Sequence, residues 1–358
     1  MNRGLNIKEI IQSVQSSEGE NFQYNETAIL AEYQKKEANT SSLAIKILSI
    51  FGGFFATQTF LGFLALMRLF ESEVAILTTG IIFIIAAIWL NKTHDKLIFD
   101  TLSISTYVTG FVLLGIGLSG LNVEENPLIF IILVVSLLTI LVNQTYMLSF
   151  IAVITMAGCL LAFIIFNKSY EFFHLYHISI AYTLAYLMLN EAKIITFNKE
   201  LSKLYDPMRI GLIFSLLFGL IISVNRAVFE MPTSFIWLSS VLLLIGVMYL
   251  VSQIMKRMNI TDKKQQIIIY ILSVLVLSST IFAPSILGAI LIMLLSFFVN
   301  YKTGLVIGIT ALAYFVSQYY YDLNLTLLVK SIILFSSGIL FIVFFLFTHK
   351  KHIANEKV

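Results

Sequence analysis

Twelve apolar segments follow one another along this chain: 47–67, 74–90, 97–121, 128–142, 147–166, 172–189, 210–224, 232–252, 267–282, 285–299, 303–318 and 325–347. Together they occupy 222 of its 358 residues. A helix needs about 20 apolar residues to cross a hydrocarbon core about 30 Å thick. A membrane β-strand needs only about ten, alternating apolar with polar. These segments are longer than that and apolar on every side, so they read as helices. The expected fold is an all-α integral membrane protein of about twelve transmembrane helices with short loops. The bundle covers 47–347; a cytoplasmic segment with short amphipathic helices, 1–46, precedes it, and a basic tail, 348–358, follows. Several segments hold only 15 to 17 residues, and a 15-residue helix reaches only about 22 Å. Either flanking residues lengthen them or some are re-entrant. The stretch 267–318 is open between three short spans and two long ones kinked at Pro284.

Composition narrows the function. Hydrophobic residues make up 58% of the chain and charged residues 12%, against about 25% charged in a soluble domain. A soluble enzyme, a disordered chain and a nucleic-acid-binding module are thereby excluded. The net charge of +3 is too small to suggest a polyanionic partner. A single cysteine, Cys159, excludes an internal disulfide and a Cys-based metal site. The first apolar run begins near Ile47, too far along for a cleavable signal peptide, so it is expected to be the membrane signal itself.

Charge sets the expected orientation. If the N-terminus is placed on one side and the segments alternate, the loops of that side carry 19 of the 23 Lys and Arg. The other side carries three, Arg68, Lys168 and Arg226, and Lys330 lies inside a segment. Acidic residues skew the opposite way. Cytoplasmic loops are the Lys/Arg-rich ones, so both termini are expected in the cytoplasm, with an even number of spans in a cell membrane. No outer loop exceeds seven residues, which leaves no room for a folded external domain. In the N-terminal segment Ile7, Ile10, Ile11 and Val14 recur at helical spacing. That helix either lies on the membrane or bundle surface or docks a protein partner.

Few residues in the apolar segments can carry chemistry. Lys330 is an ammonium inside a span, which is costly and by default a functional position. Thr326 shares its helical stripe, and Asp322 is its nearest anion in sequence. Tyr319, Tyr320 and Tyr321 match an interfacial aromatic belt. Structural snorkelling competes with a ligand or ion site at Lys330. Asp100, at the start of the third segment, caps a helix or serves as a proton-coupling acid. His174 and His177, three apart, are candidates for pH sensing or metal binding, but zinc needs three or four ligands and none completes the set locally. Arg226 and Glu230 read as an i, i+4 ion pair. Gly115–Gly120 spells G-x-G-x-x-G, but a dinucleotide site must follow a strand, so these glycines are read as close helix packing. No catalytic motif and no cofactor-binding motif is present, so the expectation is no cofactor and no resident metal.

The C-terminal run Tyr319-Tyr320-Tyr321-Asp322-Leu323, then Thr326-Leu327-Leu328-Val329-Lys330-Ser331, then Gly338-Ile339-Leu340, resembles a signature of the domain-of-unknown-function family 4401, related to family 2157. Leu61-Gly62-Phe63-Leu64 and Glu71-Ser72-Glu73 are similar too, and the resemblance covers 43–347. It implies an uncharacterised bacterial inner-membrane protein, often encoded beside a small membrane-anchored partner, and marks Tyr319, Tyr320, Tyr321, Asp322, Thr326 and Lys330 for testing without assigning a reaction. Three functions compete. The first is a non-enzymatic component or partner of an envelope assembly, bound to lipid and to a membrane-anchored protein. The second is a secondary transporter of a small solute with a polar site near Lys330. The third, an intramembrane lipid enzyme, needs His174, His177, Glu230 and Asp322 to converge. The sequence leans away from an enzyme.

Overall fold

The computed structural model describes residues 43–93, 97–142, 145–224, 236–278, 280–281 and 283–322, with Ser16 and six single positions between 328 and 342. Among the described residues there is no strand. The helices are α1 (Leu43–Leu66), α2 (Glu73–Thr93), α3 (Leu97–Gly120), α4 (Glu125–Val142), α5 (Tyr146–Phe166), α6 (Phe172–Leu189), α7 (Glu191–Phe197), α8 (Lys199–Val224), α9 (Ile236–Arg257), α10 (Lys263–Ser278), α11 (Pro284–Phe298) and α12 (Lys302–Asp322). Each apolar segment up to 303–318 coincides with one of them. The last segment, 325–347, lies outside the described residues apart from the single positions, as do the candidate helices of 1–46 apart from Ser16.

Among the described residues seven helices are long and apolar enough to cross a membrane: α2 to α6, α8 and α9. The chain is a helical membrane protein. Three helices, not two, occupy 267–318. Pro284 opens α11 rather than kinking a longer helix, a position where its missing N–H costs nothing. By hydropathy 190–209, between the sixth and seventh apolar segments, reads as a cytoplasmic loop; the structure corrects this, placing α7 and the start of α8 in that interval. Its residues are polar helix formers, so a helix continues past the end of the apolar run.

The chain divides into two compact units, 1–151 and 152–358, with the boundary inside α5. In the first, α2 and α3 pack most closely. A Cβ on Gly80 would lie 2.7 Å from the Leu114 backbone nitrogen, and one on Gly117 would lie 2.8 Å from the Leu77 backbone. Small residues are what lets helix backbones approach this way where lipid supplies no hydrophobic drive. Around this seam Ile84, Ala87, Tyr107, Phe111, Leu114, Leu118 and Leu148 form a buried cluster. The Tyr107 ring meets Phe111 edge-on at 4.7 Å.

In the second unit α11 is packed against α6, α8, α9 and α12. Its Leu287, Ala289, Ile292, Leu295 and Ser296 are fully enclosed, which explains how a helix of 15 residues with no charged side chain sits at the core. Helix ends share one device. Asn122, Lys168, Asn259 and Asn300 adopt left-handed backbone with φ of 51 to 59°. In each case that residue donates to the carbonyl three back, and the next residue donates to the carbonyl five back, as from Val123 to Leu118 and from Tyr301 to Ser296. This is the Schellman cap, with Asn in place of the usual Gly at three of the four ends.

Candidate functional site

Most Ser and Thr hydroxyls of the helices bond back to a carbonyl of their own helix, as from Thr57 to Gly53 and from Ser215 to Gly211, but a small set of polar side chains joins one helix to another. On α6, the Tyr176 hydroxyl donates to the Ser215 carbonyl of α8 at 3.0 Å. The Tyr182 hydroxyl donates to the Leu242 carbonyl of α9 at 2.8 Å. The two histidines take part in the same pattern. His174 Nδ1 lies 3.1 Å from Ser239 Oγ on α9, and His177 Nε2 lies 3.2 Å from Ser223 Oγ on α8. The expected common face therefore divides between two neighbours. Among the described residues no group of three or more His, Cys, Asp or Glu is placed to hold a metal.

Asp100 belongs to a second polar group, at one end of the first unit. Its Oδ1 accepts from Asn91 Nδ2 at 2.8 Å. Asn91, fully buried near the end of α2, accepts in turn from Thr145 Oγ1 just before α5. Three elements thus meet through one acid, one amide and one hydroxyl. Nothing local in sequence singled out Asn91 or Thr145.

At the C-terminal end of α12, Tyr321 is exposed and its ring meets Tyr320 edge-on at 5.8 Å. Asp322 is the last residue of α12. Thr326 and Lys330 lie outside the described residues, as do Arg226 and Glu230.

The most heavily built ionic feature was not foreseen. Arg209 of α8 keeps only 11% of its side chain exposed. It pairs with Asp206 one turn back and with Glu191 of α7 at 3.7 Å. Its guanidinium carbon sits 3.7 Å from the centre of the Tyr301 ring, in the α11–α12 turn, and 5.0 Å from that of Tyr205. Two carboxylates and two aromatic rings surround a single cation. The available sequence signal was the Asp206–Arg209 spacing; Tyr301 is too distant along the chain to suggest itself.

A half-enclosed cleft of about 570 Å³ lies between α6, α9 and α11. Ala185, Gly246 and Leu291 form part of its walls, and Asn190 and Gln253 lie toward one end. Its size falls within the range of small-molecule sites. Phe298 lines it as well, and the exposed Arg257 lies 5.3 Å from that ring.

No curated protein and no solved structure matches the chain. A family model does, one described as a domain of unknown function, DUF4401, and it matches residues 42–351. That interval takes in the described helices and the C-terminal tyrosine and lysine signature, and this chain belongs to the DUF4401 family.

Proposed function

We propose that this chain is a multi-pass protein of the bacterial inner membrane, with about twelve spans and both termini in the cytoplasm, and that it serves as a non-enzymatic component of an envelope membrane assembly. The orientation is supported by the uneven distribution of Lys and Arg between alternate loops.

One observation carries the assembly role. Interior polar groups such as His174, His177, Tyr176 and Tyr182 tie helix to helix, while among the described residues two apolar helices leave most of their side chains less than fully covered. On α4 only Ile129, Ser136 and Thr139 are buried; on α10 only Leu277 is. We read these open faces as meeting a second membrane protein; lipid is the competing occupant. Partner docking by the amphipathic helix of 1–46, one of the two readings of that segment, accords with a second membrane protein. The transporter alternative has its polar centre at Thr326 and Lys330, outside the described residues.

The test is isolation of the full chain from native membranes in polymer-bounded discs, with photoreactive residues at Phe130 and Leu138 on α4 and at Ile271 on α10. The expected result is one stoichiometric membrane protein, crosslinked at these positions. A chain that emerges with lipid alone, uncrosslinked at all three, contradicts the assembly role.

A further inference from the structure

The cleft between α6, α9 and α11 has an apolar body and a polar end, and Arg257 stands outside that end, beside the Phe298 ring. Its body is wide because Ala185 and Gly246 bring almost no side chain to its walls. A Cβ added at Gly246 would already stand 3.2 Å from the Leu291 Cδ1, so the glycine keeps the channel open. Tyr182, on the same wall, has its hydroxyl committed to the Leu242 carbonyl and offers the cleft mainly its ring.

The other end is different. Asn190 and Gln253 bring amide groups. Arg257 follows one turn after Gln253 on α9. Its Nη1 donates to the Phe298 carbonyl, which pins the guanidinium beside the ring that lines the cleft. Among the described residues no carboxylate pairs with Arg257. Lys256, Lys263 and Lys264 stand nearby in sequence, against Asp262 alone. Basic groups at the end of a cleft between membrane helices select anionic headgroups, and a guanidinium suits the oxygens of a phosphate.

We propose that this cleft holds a single anionic phospholipid, an acyl chain lying along Gly246 and the phosphate held by Arg257 with Asn190 and Gln253. The charge of the site selects the occupant: a zwitterionic lipid offers the same phosphate already balanced by its own cation, whereas an anionic lipid brings a net negative charge to Arg257. Assigning the lipid to the cytoplasmic leaflet rests on the orientation proposed above, whereas the existence of the site does not.

The test uses the purified full chain, delipidated in neutral detergent and offered phosphatidylglycerol or phosphatidylcholine, with retained lipid read by native mass spectrometry. Wild type is expected to retain one phosphatidylglycerol and to prefer it over phosphatidylcholine about fivefold, as one cation near a headgroup gives. Arg257→Gln, on the exposed rim, should bring that preference close to unity. Gly246→Leu and Ala185→Leu should abolish retention of both lipids, with the thermal midpoint in lipid-free detergent unchanged in at least one of them. Equal retention of the two lipids by wild type, an unchanged preference in Arg257→Gln, or full retention in a folded cleft-filling variant overturns the proposal. None of these readings depends on which side of the membrane the site faces.

Discussion

Arg209 shows how much of this protein's polar chemistry is structural. A guanidinium is planar and weakly hydrated, so it can lie over an aromatic face and still bond carboxylates at its edge. The Tyr301 ring takes the face, at 3.7 Å, and Asp206 and Glu191 take the edge. A lysine ammonium keeps the charge but has no plane to stack. Arg209→Lys should therefore lower the thermal midpoint in detergent by the equivalent of about 0.5 to 2 kcal/mol, the usual worth of such a contact. An Arg209→Lys protein that melts with wild type would show that charge alone holds α7 and the α11–α12 turn to α8. This residue was legible only as the last polar position before an apolar run. Its meaning depends on Tyr301, which the fold brings near and local spacing does not. Asp100 was legible as a polar residue at a helix start, but its buried partner Asn91 was hidden among ordinary loop-edge residues.

Elements were more readable than sites. Hydropathy measures the length of lipid-compatible helix, and each of the eleven apolar segments up to 303–318 falls on a described helix. It does not register a helix made of polar residues. Hence α7 and the beginning of α8, over Glu191–Phe197 and from Lys199 onward, passed for a loop. The G-x-G-x-x-G run shows the same limit at finer grain. All three glycines were read as packing residues, but α3 uses them unequally. A Cβ at Gly117 would stand 2.8 Å from the Leu77 backbone, one at Gly120 would stand 2.5 Å from Glu73 Cγ, and one at Gly115 would meet nothing within 4 Å. Which glycine faces α2 depends on the helix rotation, and the letters alone do not carry it. Gly117→Val should separate α2 from α3 and cost about 1 to 3 kcal/mol of overpacking strain, seen as a loss of the monodisperse peak of a fluorescent fusion in size-exclusion chromatography. Gly115→Ala should leave that peak intact. Equal tolerance at the two positions would contradict the close α2–α3 seam.

For the whole molecule, the account depends on where the loops lie. Burial of apolar length favours the bilayer for these helices, and the proposed orientation adds a second, independent term, retention of cations on the cytoplasmic side. The single cysteine makes this accessible to experiment. Cys159 is buried, so Cys159→Ser provides a background into which one cysteine at a time can be introduced at exposed turn positions. Asn122→Cys and Lys168→Cys place it in turns assigned to the outside, and Asn198→Cys and Asn259→Cys in segments assigned to the cytoplasm. With a membrane-impermeant maleimide on intact inner-membrane-exposed cells, the account predicts labelling at 122 and 168 directly, and at 198 and 259 only after the membrane is opened. Immediate labelling at 198 or 259, with 122 and 168 protected, would contradict it.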